Sequence, residues 1–568
     1  MRMKMQLKVV TASFLGLWAF AGFAQQQVGD LAPNPTLDGY LAAIESDTRV
    51  QQVLQDYHDE ADNRFKEHME VVRIASPSRQ EYYRAKELYD RLIAFGFADS
   101  DLVFTGKNNS GIMPGSAVQQ VDGLKVYQTC AVIPGTWTGA TDGANGIYAR
   151  PKVVIEGHID TVNPSEIPGF DPDAKPLPWY YEPVKMQPAG DPLASTAAEL
   201  AAIPKELNFD ANGKVVEDAN WTAAKTRFTN LNDAAQNGGH RIYVPGYSDA
   251  INNTIGVYHL AKLFKTHDIK PVHDIWFCFT AGEEGRGNLA GMKQLYGYNQ
   301  DNAAAIPADN GRNKLNIVAN LSIDGGNMTM QFLGSYRYEV NYKGINGARE
   351  ASRRIGRIAE VYSPSDDGTS TQKTTYTVGI AYKKDDGSTS FEIDMRAPQV
   401  PALNEMKSRL YPKFGVGTTT EDGVEIAQLW YGDRPAHIVD EAYVRSDPLI
   451  YAAWKTRCNV FGACSRLPTT ENDASSVNDN IPAAINIPTL NLNLGVTAAG
   501  GGGHAFNEWG VRGSQATEDN NVKRVLYTLL AVSGLASTSG AEIVPAAYPP
   551  KAPGHTNEVW DSETIWQK

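Results

Sequence analysis

The sequence has little positive charge to offer a polyanion. Its 568 residues include 52 lysines and arginines against 65 aspartates and glutamates, so the formal net charge is -13. A nucleic-acid-binding surface needs basic side chains that replace phosphate counterions, and no basic stripe is available here. The composition therefore argues against nucleic acid as a partner, and solubility explains the acidic excess.

Cysteine is scarce, with four residues in the chain. Cys458 and Cys464 enclose a short turn, and the sequence leaves open whether they form a disulfide or remain free thiols. Cys130 and Cys278 lie in apolar, strand-like runs, and we expect both to be buried thiols.

Long apolar runs are absent after the first 24 residues, which excludes a membrane span in the rest of the chain. The start itself has basic residues at positions 2, 4 and 8, an apolar run over residues 9–23, and small residues before Gln25. This pattern predicts a secretory signal peptide over residues 1–24, with cleavage after Ala21 as a second choice. An uncleaved anchor is the alternative, but the run is short for a bilayer. We expect export to the periplasm or the extracellular space.

The remaining composition, with 42% apolar and 21% charged residues, is that of an ordinary globular protein. Helices are predicted over residues 48–75 and 79–95. Apolar strands alternate with further helical segments, and the strands are "VYQTCAVIPG", "RPKVVIEGHIDTV", "DIWFCFTAGEEG" and "NIVANLSIDGG". This alternation predicts an α/β fold with a mixed, mostly parallel sheet flanked by helices.

Two segments interrupt this rhythm. Residues 164–240 are rich in proline, alanine, asparagine and aspartate and are predicted to be a surface insertion. Residues 333–437 follow a strand, helix, strand, strand, helix, strand pattern that predicts a separate, inserted α+β domain. The catalytic domain is thus expected to comprise residues 25–332 and to resume over residues 438–568, which include a C-terminal tail.

Polar residues cluster where the predicted strands end. Open α/β sheets place their sites at the carboxyl ends of the strands, so we expect these side chains to meet at one rim. The candidates are His158, Asp160, Asp249, Glu283, Glu284, Asp324 and His504.

So many carboxylates at one rim would repel one another unless a cation lay between them. Divalent metals accept this mixture of imidazole nitrogen and carboxylate oxygen. One zinc needs about three protein ligands, whereas two metals about 3.5 to 4 Å apart would use the surplus acids. The adjacent glutamates can then divide the work, since one binds metal while the other accepts a proton.

The motifs H-x-D-T-V, G-x-x-D-A, G-E-E-G, I-D-G and G-G-G-H-x-x-x-E occur in this order. The set resembles the co-catalytic di-zinc metallopeptidase family of tripeptidases, glutamate carboxypeptidases, acetylornithine deacetylases and aminoacylases. The resemblance implies a zinc-exopeptidase-like fold with an inserted lid or dimerisation domain, and it covers most of the mature chain.

The resemblance also implies a role for each candidate. His158 and Asp324 would bind one zinc, Glu284 and His504 the other, and Asp249 would bridge the two ions. Glu283 would be the general base, and Asp160 would orient the imidazole of His158.

The predicted lid departs from the family. Family lids commonly carry a histidine shortly after their first strand, whereas this chain has "YKGINGAREAS" there. His437 could compensate for it, and Arg396 is a candidate for binding a substrate carboxylate. The missing histidine puts in doubt the homodimer that the resemblance implies.

Other functions remain open. Ser248 lies in "GYSDA", one residue from a G-x-S-x-G nucleophile elbow, and a serine hydrolase could use it with Asp324 and His504. A di-zinc aminopeptidase without a lid shares the ligand order but lacks an insertion of this length. A catalytically inactive, metal-binding envelope protein is the third alternative.

The sequence thus predicts an exported di-zinc hydrolase, an exopeptidase or amidohydrolase, that cleaves peptide or N-acyl amino acid amide bonds. Cobalt or manganese would suit the same ligands as zinc. The exact substrate and the end at which a peptide shortens are not determined by the sequence.

Overall fold

A computed structural model describes most of the chain. The described residues are 31–105, 120–121, 124–139, 150–163, 241–296, 316–365, 374–462, 464, 467 and 474–549, apart from positions 327, 380, 385, 421, 496 and 506. The predicted signal peptide, residues 1–24, and the predicted insertion, residues 164–240, lie outside them.

Twelve α-helices are present in the described ranges. They are α1 (Pro35–Ser46), α2 (Thr48–Asp59), α3 (Ala61–Val72), α4 (Tyr82–Phe95), α5 (Asn252–Thr266), α6 (Ala290–Leu295), α7 (Gly347–Ala359), α8 (Val400–Phe414), α9 (Glu441–Ser446), α10 (Pro448–Phe461), α11 (Asn480–Ala484) and α12 (Gln515–Ser533).

The same ranges contain eighteen strands. They are β1 (Leu102–Phe104), β2 (Gln120–Val121), β3 (Leu124–Lys125), β4 (Thr129–Ile133), β5 (Lys152–His158), β6 (Ile242–Tyr243), β7 (Asp274–Thr280), β8 (Ile317–Ile323), β9 (Gly334–Lys343), β10 (Thr375–Val378), β11 (Tyr382–Lys383), β12 (Thr389–Ala397), β13 (Glu425–Arg434), β14 (Thr489–Leu492), β15 (Thr497–Gly501), β16 (Trp509–Arg512), β17 (Leu535–Ala536) and β18 (Glu542–Val544).

The main sheet has six strands in the order β1-β4-β7-β5-β8-β14. Strands β7, β5, β8 and β14 run parallel to one another. Strand β4 pairs antiparallel with β7, and β1 pairs antiparallel with β4. Every residue of β5, β7 and β8 is buried, as is typical of parallel strands covered on both faces. The predicted mixed, mostly parallel sheet flanked by helices is confirmed.

Alternate side chains of the central strand enter two different cores. Val153 and Ile155 pack into the larger core beneath most of the helices, whereas Val154 packs into a smaller one on the opposite face. The strands are therefore fixed in register, because a slip of one residue would exchange the two faces.

A second, antiparallel sheet has the order β10-β12-β9-β13, with β11 paired to β12. Helices α7 and α8 contribute to its core, which is separate from those of the main sheet and includes Tyr338, Phe391 and Leu410. This sheet spans Gly334 to Arg434, inside the predicted insertion. The predicted domain limits, 333 and 437, stay a prediction.

The helix predicted over residues 48–75 is two helices, since α2 ends at Asp59 and α3 begins at Ala61. The next helix, α4, ends where the sequence predicted. Gly96 follows it with a φ of 105°, a left-handed conformation that glycine adopts without steric cost. No helix in the described ranges combines the length and the apolar character that a bilayer crossing requires.

The expectation that Cys130 and Cys278 are buried thiols is wrong, because the structure pairs them in a disulfide. They lie directly opposite each other on the antiparallel strands β4 and β7, with Cα atoms 4.0 Å apart. This cross-strand neighbourhood follows from sheet order and register. Cys458 and Cys464 also form a disulfide, which resolves the alternative that the sequence left open.

Replacing Cys130 and Cys278 together by alanine should lower the free energy of unfolding by about 2 to 4 kcal/mol, because their disulfide restricts the unfolded chain. That disulfide joins residues 148 apart, whereas Cys458 and Cys464 are only 6 apart. Removing the short-range pair should therefore cost less. Denaturant titration of both double variants tests this, and equal losses would contradict it.

Candidate metal centre

Three neighbouring parallel strands bring the candidate residues together at their carboxyl ends. Strand β5 ends at His158, with Asp160 two residues later. Glu283 and Glu284 follow the end of β7, and Asp324 follows the last residue of β8. Because β7, β5 and β8 are adjacent in the sheet, these side chains converge as the sequence predicted.

Asp249 reaches the rim from the turn that precedes α5. Gly157 allows this close approach, since a Cβ atom at that position would lie 2.8 Å from the Thr254 Oγ1 atom. The Thr254 hydroxyl also donates a 2.6 Å hydrogen bond to the carbonyl oxygen of His158. Strand β5 and the start of α5 are thus held in direct contact, which places Asp249 beside His158.

The two oxygens of Asp249 face two different imidazoles. Oδ1 lies 3.3 Å from Nε2 of His158, and Oδ2 lies 2.9 Å from Nε2 of His504. A second carboxylate meets each imidazole, because Asp324 Oδ1 is 3.4 Å from His158 Nε2 and Glu284 Oε1 is 3.1 Å from His504 Nε2. The arrangement consists of two triads that share Asp249.

Both triads could hold a metal ion, since their ligand atoms all lie within 4.8 Å of one another. A third group of the same kind contains His158, Glu283 and Glu284. All five residues predicted to bind metal therefore belong to at least one group. Glu283, predicted to be the base, is also close enough to bind.

The carboxylates of the centre perturb one another. Burial and the neighbouring charge of Asp249 raise the pKa of Glu284 to about 8. Burial also raises the pKa of Asp324, to about 6, although His158 opposes the shift. Burial acts in the same direction on Asp249, but hydrogen bonds with His158 and His504 hold its pKa well below the usual range.

The histidines respond in the opposite sense. Hydrogen bonds with Asp249 and Glu284 raise the pKa of His504 to about 11. Burial lowers the pKa of His158, yet Asp324 and the other carboxylates raise it well above its usual value on balance. The carboxylates around the two histidines thus strongly favour a positive charge at the centre. A mixed set of imidazole nitrogens and carboxylate oxygens in such a field fits divalent cations.

Asp160 is fully buried and contacts four neighbouring residues. Its Oδ1 lies 3.4 Å from Nδ1 of His158, which suits the predicted orienting role. The same carboxylate accepts hydrogen bonds of 2.9 Å from the main-chain N–H groups of both Glu283 and Glu284. Ser78, which the sequence analysis missed, donates a 2.5 Å hydrogen bond to it. Asp160 therefore fixes the two glutamates as well as the histidine.

Glu508 is a second residue that the sequence analysis missed. It is buried and accepts hydrogen bonds from the main-chain N–H groups of Gly246, Ser248 and Asp249, at 2.7, 3.0 and 3.2 Å. The hydroxyl of Ser248 donates to it as well, at 3.0 Å. Its place in the motif G-G-G-H-x-x-x-E was the available signal. Glu508 holds the turn that carries Asp249.

Replacing Glu508 by alanine should weaken metal binding about 10- to 100-fold, as is typical when a group that orients a ligand is lost. Metal affinity can be measured by competition with a chromophoric chelator. Glu508→Gln retains one acceptor oxygen and should lose less. Unchanged affinity in a folded Glu508→Ala protein would contradict this role.

Arg396 lies near the centre on strand β12. It donates to Asp394 Oδ2 through Nε and Nη2, at 3.0 and 2.9 Å. Burial lowers its pKa, but the charges of Asp394, Glu283 and Glu284 raise it on balance. The guanidinium is thus within electrostatic reach of both adjacent glutamates.

His437 has a different setting. Its main chain exchanges two hydrogen bonds with Phe332, at 2.8 and 2.9 Å, and burial lowers its pKa. It belongs to none of the ligand groups found in the described residues. Ile345, in the turn between β9 and α7, has a side chain that is 99% exposed.

No family model and no curated protein matches the sequence significantly. Among solved structures, the chain is similar to aminopeptidase PepT from Bacillus cereus, with a TM-score of 0.41, 14% identity, and coverage of 82% of this chain and 98% of that chain. It is also similar to the di-peptidase Dug1p from Saccharomyces cerevisiae, with a TM-score of 0.47, 13% identity, and coverage of 87% and 98%.

Human carnosine dipeptidase 1 is a third similar structure, with a TM-score of 0.45, 13% identity, and coverage of 88% of this chain and 99% of that chain. These three similar structures are an aminopeptidase and two dipeptidases, and the predicted resemblance is thus matched by a similarity of fold.

Proposed function

We propose that the protein is a metal-dependent hydrolase of peptide or N-acyl amino acid amide bonds that works with two zinc ions. The observation that carries this proposal is the position of Asp249, whose two oxygens face His158 and His504. This carboxylate lies between two imidazoles, and each imidazole also contacts one further carboxylate. That number of ligands suits two metal ions better than one.

His158, Asp249 and Asp324 would hold one ion, and Asp249, Glu284 and His504 the other. When bound, such a pair polarises the scissile carbonyl and lowers the pKa of a water. Zinc is proposed because it accepts imidazole and carboxylate together, and cobalt or manganese would bind the same atoms.

Glu283 would move the proton. Its Oε1 atom accepts a 2.9 Å hydrogen bond from Arg434, which leaves Oε2 to take a proton from water and deliver it to the leaving nitrogen. Its main chain is fixed by Asp160, so the carboxylate needs little reorganisation before the reaction.

We propose exopeptidase action because Arg396 can bind a terminal carboxylate near the centre. Asp394 already pairs with this guanidinium, so a substrate would share it or displace the aspartate. The homodimer that the family resemblance implies stays a prediction.

The serine hydrolase alternative needs a contact between Ser248 and His504. In the described residues the Ser248 hydroxyl donates instead to Glu508, while His504 faces Asp249 and Glu284. A nucleophilic serine hydrogen-bonded only to a carboxylate lacks the imidazole base that activates it. The metal-dependent hydrolase is therefore favoured.

A peptide-library digest of the purified protein with added zinc tests the function, with mass spectrometry showing which end of each peptide shortens. Cleavage that a chelator abolishes and zinc restores supports the proposal. Inhibition by a serine-directed fluorophosphonate would support the serine hydrolase instead. Metal binding without cleavage of any peptide or N-acyl amino acid would support the inactive binding protein.

We further propose that the protein is exported. The predicted signal peptide over residues 1–24 motivates this, and the two disulfides are of the kind that persist in oxidising compartments. Expression of the full chain in a bacterium, followed by fractionation and N-terminal sequencing, should give periplasmic or secreted protein that begins near Gln25. A full-length protein retained in the cytoplasm would contradict export.

A further inference from the structure

The two adjacent glutamates of the centre would need different roles, although their side chains are chemically identical. Glu283 and Glu284 have the same side chain, and both can reach the imidazole of His158 in one ligand group. The proposed function needs one of them to bind metal and the other to stay free for proton transfer. A residue outside the ligand set has to make the two carboxylates unequal.

Arg434 contacts only one of the two carboxylates. Its Nη1 atom donates to Glu283 Oε1 at 2.9 Å, and its Nη2 atom donates to the main-chain carbonyl oxygen of the same residue. Both side chains are almost fully buried, with exposures of 3% for Arg434 and 7% for Glu283. The side-chain oxygen of Glu284 instead meets His504, at 3.1 Å.

Arg434 is held firmly in this position. It is the last residue of β13, and Nη1 also donates to the carbonyl and hydroxyl oxygens of Ser476, at 3.2 and 3.3 Å. The preceding residue, Asp433, exchanges hydrogen bonds of 2.8 and 2.9 Å with Asn288, which lies just beyond the two glutamates. The end of β13 is thus hydrogen-bonded to the loop that carries Glu283 and Glu284.

We propose that Arg434 is a positioning residue that assigns the roles of the two glutamates. A carboxylate oxygen engaged by a buried guanidinium is less available to a cation, and moving it to a metal would leave the arginine charge without its partner. Glu283 is therefore kept as a proton acceptor, and Glu284 is left to bind. This inference rests on the proposed function, and it means that a residue of the second sheet decides which glutamate binds metal.

Without Arg434, Glu283 should turn and become an additional metal ligand. We expect Arg434→Met to bind Zn²⁺ or Co²⁺ about 10-fold more tightly, within the range by which residues behind the ligands alter metal affinity. Weaker visible absorption of the Co²⁺ form should accompany the tighter binding, because a higher coordination number reduces the intensity of its bands. Turnover should fall together with this change.

Loss of a positive charge alone would also strengthen metal binding, so a double-mutant cycle is required. Metal dissociation constants are measured for the wild type, Arg434→Met, Glu283→Gln and the double variant. If Arg434 acts through Glu283, Arg434→Met should increase metal affinity much less in the Glu283→Gln background than in the wild type. An increase of the same size in both backgrounds, or no increase in Arg434→Met, would overturn the proposal.

Arg434→Lys is made in parallel because it preserves the charge in the buried site. It should show a smaller gain in affinity that disappears with Glu283→Gln, so the cycle can be completed if Arg434→Met does not fold. Arg91→Met is the matched control, since Arg91 is a largely buried arginine that pairs with Glu70 away from the ligands, and its metal affinity should equal that of the wild type. A wild-type protein without metal binding would refute the proposed function itself, whereas normal binding with no effect in the cycle refutes only the role of Arg434.

Discussion

Replacing Glu283 by glutamine lowers kcat about 100- to 10,000-fold, the usual contribution of a general base, and leaves the metal content unchanged. Glutamine has nearly the same shape and can still accept the hydrogen bond from Arg434 Nη1, so the loop should keep its position. Only the capacity to take up a proton is lost. Steady-state kinetics and elemental analysis of the same preparation measure the two quantities.

Glu284→Gln is the matched control for this experiment. The two glutamates are neighbours, and their main-chain N–H groups are both bound by Asp160 at 2.9 Å. Because Glu284 belongs to the triad with Asp249 and His504, its replacement should lower metal content as well as activity. A Glu283→Gln protein with a normal rate would refute the role of Glu283 as base.

Replacing Asp249 by alanine has the second large effect, since this carboxylate is common to both triads. We expect metal binding to weaken by more than about 100-fold, beyond the loss typical of residues that only orient a ligand, and hydrolysis to disappear with it. Removing one shared ligand should release both ions together. Competition with a chelator measures how many metal ions each chain still binds, and it tests whether both sites are lost together.

Ser248→Ala is the control on the same turn. It removes one hydrogen bond to Glu508, while the main-chain N–H groups still bind that residue. Most activity should remain, whereas a serine hydrolase would lose it. The bridging role would be contradicted if Asp249→Ala kept one ion at wild-type affinity and lost only the other. An unfolded variant is recognised by circular dichroism, and Asp249→Asn then replaces it.

Much of the main sheet could be predicted from the sequence because its central strands contain runs of apolar residues. Burial on both faces leaves a local signal that needs no knowledge of neighbours. The break between α2 and α3 was missed, since residues 48–75 keep a helical pattern through it. The disulfide between Cys130 and Cys278 was missed because strand order and register made these residues neighbours.

The ligand candidates were predictable for a related reason. His158 ends an apolar strand, Glu284 and Asp324 follow apolar strands, and parallel strands end at a common edge. Residues that support the ligands gave weaker signals. Ser78 lies in a segment far from every motif, and Arg434 is the last residue of a strand in the second sheet.

The sequence by itself determined which residues could bind metal and that a parallel sheet would gather them, because strand type and strand end are properties of local pattern. Only the tertiary structure decided which oxygen of Asp249 faces which imidazole, which cysteines meet, and that Arg434 contacts Glu283 and not Glu284. Most of those outcomes depend on distances between segments far apart in the chain, such as 91 residues for His158 and Asp249 and 151 for Glu283 and Arg434. Such distances are set by strand order and register in the main sheet and by the contact between the two sheets, and no local pattern encodes them.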